Sequence, residues 1–225
     1  MAGVGRLLLW DIDGTLIHGG GVVDGAPADV PIVDMHGKTD PQILREIFEA
    51  AEVDASLLDA HVADAVRAAE ANLLATEAEL RAKGGTHPGV VEVLERLHGM
   101  SGIRQTLLTG NIVANAAIKL AAFELTGLFD FEVGAYGTDH EDRLELVPIA
   151  LERVERLRGE RYDPGDVWVI GDTAADLACA RAGGVRCLLV GTGAPGWAGV
   201  RDLGADHALP DLSDVEHVVE VLTHG

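Results

Sequence analysis

The stretch Leu7-Leu8-Leu9-Trp10-Asp11-Ile12-Asp13-Gly14-Thr15 joins a continuous apolar run to two carboxylates and a glycine. An apolar run without alternation suits a strand covered on both faces, and residues 6–10 are read as such a strand. Comparable runs lie at residues 103–108, 167–170 and 186–190. Between them the spacing predicts helices: 89–97 opening after Pro88, 113–125 rich in Ala, and 144–157 with Leu, Val and Ile at helical intervals. Strands that alternate with helices predict an α/β fold, a parallel sheet flanked by helices.

One segment breaks the alternation. From about residue 33 to 83, Ala, Leu and Glu dominate and apolar residues recur three or four apart, which predicts a helical insert. Gly19-Gly20-Gly21 before it and Gly84-Gly85 after it are flexible punctuators fit to act as hinges. The expected organisation is a catalytic core at 1–18 and 88–225, with a small all-helical cap domain at 19–87. Thr39 or Asp40 is placed to cap a helix that Pro41 initiates.

The 225 residues suffice for one sizeable domain burying about 70% of its unfolded surface. With 48% hydrophobic residues and no window of eighteen consecutive apolar ones, a soluble globular chain is expected. Four apolar residues before Asp11 are too few for the core of a signal peptide. Cys179 and Cys187 lack metal-ligand spacing and read as reduced buried thiols, so a cytoplasmic location is expected. A net charge of −20 repels nucleic acid and anionic membrane surfaces. An anionic substrate then needs a metal or a few Lys and Arg to reverse the field locally.

In a parallel α/β sheet ligands bind beyond the carboxyl ends of the strands, where Asp11 begins. Asp11 and Asp13, two apart, can point the same way, and so share a cation or divide the work of nucleophile and acid. Asp, Gly and Thr are also ordinary turn residues, so this stretch alone does not decide. Two companions follow other strands. Thr109-Gly110-Asn111 offers a hydroxyl, backbone N–H groups and a helix N-terminus, a natural phosphate seat. Gly171-Asp172-Thr173-Ala174-Ala175-Asp176 gathers acids before a helix, which suits a cation site, although Asp176 alone would serve as a cap.

Asp11-Ile12-Asp13-Gly14-Thr15-Leu16, Leu107-Leu108-Thr109-Gly110-Asn111 and the GDxxxD string at Asp172 and Asp176 together resemble the motifs of the haloacid dehalogenase (HAD) superfamily. The helical insert after the first motif resembles the phosphoglycolate phosphatase and β-phosphoglucomutase branch. The resemblance implies a Rossmann-like core and a Mg²⁺-dependent phosphatase acting on a small phosphorylated metabolite. Asp11 would attack phosphorus, Asp13 would act as general acid and base, and Thr109 would bind the transferring phosphate. Asp11, Asp13 through its carbonyl, Asp172 and, from further out, Asp176 would hold Mg²⁺. Thr15, Gly110, Asn111 and Lys38, the last in the insert, complete the expected substrate-binding set.

Many relatives supply a cation from a Lys-Pro string before the fourth-motif strand, and this chain has none. Lys119, conspicuous in an apolar helix, and Arg143, in the corresponding stretch of chain, are the two candidates. His18, His61, His87, His98 and His140 show no metal-ligand spacing, and surface or loop positions are expected for them. Asp13 disfavours a dehalogenase. A phosphomutase, or a non-catalytic phosphate-binding protein on the same fold, is the alternative, and the chain is expected to be a monomer or homodimer.

Overall fold

The computed structural model describes residues 5–19 and 31–225. In chain order the elements are β1 (Arg6–Trp10), β2 (Ile17–His18), α1 (Asp40–Ala50), α2 (Leu58–Lys83), β3 (Gly85–Thr86), α3 (Val90–His98), β4 (Ile103–Thr109) and α4 (Val113–Ala122). Then come β5 (Ala135–Tyr136), α5 (Leu146–Arg158), β6 (Val167–Gly171), α6 (Ala174–Ala182), β7 (Arg186–Val190), α7 (Gly196–Val200), β8 (His207–Leu209) and α8 (Val215–His224).

Six strands form one parallel sheet in the order β5-β4-β1-β6-β7-β8. The chain winds outward from β1 on one side, returns, and winds outward on the other, so the strand order reverses at β1. Such a reversal opens a crevice at the carboxyl ends of the central strands. Trp10 is in register with Leu107 of β4 and Ile170 of β6, which brings the residues following β1, β4 and β6 to one edge.

The apolar run of β1 has the cause its pattern suggests. Leu7 and Leu9 pack into a cluster with Val147, Ala150 and Val154 of α5 and Ala180 of α6. Leu8 and Trp10, on the opposite face, pack with Val90, Leu94 and Leu97 of α3 and Val218 and Leu222 of α8. All four β1 residues are fully buried. At about 1.5–3 kcal/mol for each buried large apolar side chain, the strand is fixed from both sides.

Between residues 33 and 83 the described α-helices are α1 and α2, and they start later than the spacing predicts. The first of them begins at Asp40, where Thr39 accepts a hydrogen bond from the Gln42 amide and Pro41 sits in the first turn. Residues 31–39 hold no helix. The insert enters and leaves through a two-stranded antiparallel ribbon in which Ile17 pairs with Thr86 and His18 with Gly85. Strands of two residues carry no periodicity, so this ribbon, β5 and the three-residue β8 escape a pattern reading. Gly20 and Gly21, with the insert's residues up to 30, lie outside the described residues, as do Met1 to Val4. Gly19 adopts φ +84°, a conformation that favours glycine.

α2 packs on α1 and α4. Arg81 of α2 donates to the carbonyls of Ala121 and Ala122 at the end of α4. Thr39 donates to the carbonyl of Glu141, and Arg45 pairs with the Glu141 carboxylate, so the insert is tied to the loop after β5. Among the described residues no helix is long and apolar enough to cross a membrane. Both cysteines are free and buried.

Candidate active site

The two aspartates of the opening motif occupy different surroundings. Asp11 follows β1 directly, and its amide donates to the carbonyl of Ile170 in β6 at 2.9 Å. That bond draws it toward the end of β6, where Asp172 and Asp176 lie. Oxygens of Asp11, Asp172 and Asp176 come within 4.8 Å of one another, all three residues being buried. Arg143 is buried with them. It contacts Asp11 at 3.1 Å and donates to Asp176 at 2.5 Å. Cys179 of α6 helps seat this arginine by donating to its backbone carbonyl at 3.0 Å.

Three carboxylates lie buried beside one guanidinium, and two of them, Asp172 and Asp11, are shifted upward. Burial pushes the Asp172 carboxyl up to about 8, and the charges of Asp176 and Asp11 add to the effect. Burial also raises Asp11, to about 6, against the pull of Arg143. For Arg143 burial works against the charge, and Asp176 and Asp11 more than reverse it.

The donor set and its shape suit a hard divalent cation, which takes oxygen ligands. Asp172 sits between two glycines: a Cβ on Gly14 would come within 2.5 Å of its Oδ2, and one on Gly193 within 1.6 Å. Gly14 also holds φ +84°. Side chains at either position would fill the space around this carboxylate.

Asp176 answers to both of its readings. Oδ2 accepts from the amides of Asp172 and Thr173 and from the Thr173 hydroxyl, while Thr173 caps α6 in a reciprocal box. Oδ1 takes Arg143. With both oxygens engaged, Asp176 shapes the loop and anchors the arginine, leaving Asp11 and Asp172 as the better-placed ligands.

The side chain of Asp13 has partners of its own, apart from this acid cluster. Lys119 of α4 donates to both of its oxygens, at 2.7 and 2.9 Å, and Asn111 donates to Oδ2 at 2.7 Å. Asn111 accepts from Lys119 at 2.7 Å and donates to the Thr109 hydroxyl at 2.9 Å, linking the end of β4 to the motif. The two candidate cations are thus not rivals: Arg143 serves Asp11, and Lys119 serves Asp13.

Three expected substrate contacts are engaged elsewhere. Thr15 is fully buried and donates to Asp172 at 3.0 Å, so its hydroxyl orients a carboxylate. Lys38 pairs with Glu46 of α1, which satisfies its charge within the insert. Gly110 lies under the insert: a Cβ there would sit 2.1 Å from the Lys38 carbonyl, and its own carbonyl accepts from the Asp40 amide.

Two further residues, Asp40 and Thr192, shape the site. Asp40 reaches α4 from the insert, accepting from the Ile112 amide at 2.9 Å and from Asn115 at 3.3 Å. It takes the helix N-terminus that was read as a phosphate seat, and burial raises its pKa. Thr192, after β7, donates to the Gly14 carbonyl at 2.6 Å, which closes the Gly193 loop over Asp172. A signal for that loop existed, since Thr192-Gly193 follows an apolar run just as Thr109-Gly110 does.

Residues 8–181 match haloacid dehalogenase-like hydrolases, and the chain belongs to that family and is an enzyme. It is 30% identical over 218 residues to a plasmid-encoded phosphoglycolate phosphatase of Cupriavidus necator, covering 91% of this chain and 89% of that protein. A Pseudomonas syringae hydrolase shares the fold at 17% identity with a TM-score of 0.69, over 97% of this chain and 99% of that one. A putative β-phosphoglucomutase from Thermotoga maritima does so at 20% identity and a TM-score of 0.59, over 96% and 99%.

Proposed function

We propose that the chain is a Mg²⁺-dependent phosphatase that hydrolyses a small phosphomonoester through a phosphoaspartate on Asp11. The observation that carries this reading is the separate housing of Asp11, beside Arg143 and Asp172, and Asp13, beside Lys119 and Asn111. The relative named phosphoglycolate phosphatase supports a two-carbon phosphoester as the first substrate to try.

In this mechanism an Asp11 oxygen attacks phosphorus and the bond from phosphorus to the ester oxygen breaks. Asp13 gives its proton to the leaving alkoxide. The Asp13 carboxylate then takes a proton from water, whose oxygen attacks phosphorus and frees Asp11 with inorganic phosphate. Arg143 orients Asp11, while Thr109 and Lys119 face the phosphoryl oxygens. Mg²⁺ held by Asp11, Asp172 and the Asp13 carbonyl would neutralise charge on the phosphoryl group. Residues 19–87 act as a cap over the core formed by 1–18 and 88–225, and their closure excludes water and large substrates. A small cytoplasmic metabolite is the fitting substrate class.

A screen of small phosphomonoesters with Mg²⁺ tests the proposal. Phosphate release that disappears in Asp11→Asn is the expected result, and release that survives the substitution contradicts it.

A further inference from the structure

The segment Gly37-Lys38-Thr39-Asp40-Pro41 of the insert crosses the carboxyl edge of the sheet and meets the loops after three of its strands. Beyond β6, Gly37 at φ +69° seats so closely on the start of α6 that a Cβ would come within 2.5 Å of the Ala175 side chain and 3.0 Å of the Thr173 hydroxyl. Beyond β4, the Asp40 amide donates to the Gly110 carbonyl at 2.8 Å. Beyond β5, a Cβ on Gly137 would meet the Pro41 ring at 3.2 Å. β1 lies between β4 and β6, so this strap spans the strand end that carries Asp11 and Asp13.

Two adjacent side chains of the strap reach the two aspartate environments separately. Thr39 is fully buried, and its hydroxyl donates to the Glu141 carbonyl at 2.6 Å, while Arg45 holds the Glu141 carboxylate. Glu141 stands two residues before Arg143. The turn between them is stiffened by the Asp142 amide, which donates to His140 Nδ1, and by the Asp142 carboxylate, which accepts from the Leu144 amide. Asp40 takes the other direction, through the Ile112 amide and Asn115. Ile112 follows Asn111, the residue that holds both Asp13 and Lys119. Burial raises the Asp40 pKa, the Ile112 amide and Lys119 oppose the rise and Asp13 adds to it, so the Asp40 charge is felt where Asp13 is housed.

We propose that Thr39 and Asp40 are positioning residues: through Thr39 the seated insert sets Arg143 against Asp11, and through Asp40 it sets Asn111 and Lys119 against Asp13. Because the two are joined by one peptide bond, both aspartate environments are completed by the same docking event. Neither side chain meets the reacting atoms. They act through the groups they hold, and a misplacement of about 1 Å in such groups can cost about 10²-fold in rate. The bond from a carboxylate to a backbone amide at a helix start is charge-assisted, which makes Asp40 the firmer of the two ties. The inference rests on the phosphatase reading for the roles of Asp11 and Asp13, and one of its two tests needs no turnover.

The first test compares kcat/KM for ethyl phosphate, whose alkoxide needs a proton to leave, with that for p-nitrophenyl phosphate, whose phenolate leaves without one. This ratio reports transfer to Asp11 and is blind to the later hydrolysis step. Asp40→Ala, acting through Asp13, should lower the value for ethyl phosphate about tenfold more than that for p-nitrophenyl phosphate. Asp40→Asn, which keeps an acceptor for the Ile112 amide, should restore most of the difference. Thr39→Val, acting through Arg143 and Asp11, should lower both esters alike, and Thr39→Ser should restore both. A merely loosened insert would lower both esters alike in Asp40→Ala, and that result overturns the proposal. The second test is amide hydrogen exchange of the free protein: residues 111–116 should exchange faster in Asp40→Ala, and residues 142–146 in Thr39→Val. Unchanged exchange in either variant overturns the proposal, and if one variant does not fold the other still decides its arm. Failure of the wild-type protein to release phosphate from either ester would sink the phosphatase reading, while exchange would still decide this one.

Discussion

Asp11 and Asp13 stand two residues apart on one turn, yet the protein treats them oppositely. The Asp11 side chain is 9% exposed and shares Arg143 with Asp176, whereas that of Asp13 is 38% exposed and is held by Lys119 and Asn111. Similar spacing on a strand end does not confer similar chemistry. What differs is the strand each residue leans toward: Asp11 toward β6 through its bond to Ile170, Asp13 toward β4 and α4 through Asn111 and Lys119. A buried, crowded carboxylate suits a nucleophile beside a metal, and a more accessible one suits proton transfer to and from a leaving group.

The most severe way to break the contrast is to remove its buried cation. Arg143→Ala leaves Asp11 and Asp176 uncompensated, and loss of one partner from a buried ion pair costs about 3–5 kcal/mol. Urea unfolding of the metal-free protein should show this loss, and a near-neutral result would mean that Arg143 does not organise the cluster. Lys119→Ala acts on the other side. Because Asp13 is more than a third exposed, the expected effect falls on turnover, with kcat down about 10²–10³-fold and a small change in urea midpoint. A large stability loss with little change in kcat would reverse the assignment.

Gly193→Ala sharpens the comparison from the metal side. A methyl group placed against Asp172 should weaken Mg²⁺ binding about tenfold or more without touching Asp13, as read by the Mg²⁺ concentration for half-maximal activity. Unchanged Mg²⁺ dependence would remove Asp172 from the metal site.

The smallest expected effect is a pH dependence. Asp172 has its pKa raised to about 8 by burial, so between about pH 7 and 8 the folded chain binds more protons than the unfolded one, and stability falls as pH rises. The slope should be about 1 kcal/mol per pH unit at most in chelator-treated protein, and Mg²⁺ should flatten it. Thermal melts at several pH values check this. A stability that rises across that window without metal would contradict the crowded-acid account.

The sheet was legible because its central strand is buried on both faces and therefore written without alternation, as Leu7 to Trp10 show. Asp11, Asp172 and Asp176 were legible for a related reason: each follows or closes the turn after such a strand. The ribbon at Ile17–His18 and Gly85–Thr86 was not, since two residues carry no period. Nor was the fate of Thr15, Lys38 and Asp40. Their partners are Asp172, Glu46 and the Ile112 amide, and these are brought to them by the pairing of β1 with β6, by the turn of residues 38–46 into α1, and by the packing of α1 against the start of α4. Lys119 and Arg143 do not compete for one place, since each lies beside its own aspartate.

The division between the two aspartates is tested most directly by trapping the phosphorylated enzyme. Asp13→Asn protein, mixed with Mg²⁺ and an activated phosphoester such as p-nitrophenyl phosphate and quenched in acid, should carry a single phosphoryl group. Peptide mass spectrometry should locate that group on Asp11, and Asp11→Asn protein should carry none. A phosphoryl group on Asp13 of the wild-type protein, or on any residue of Asp11→Asn, would contradict the account.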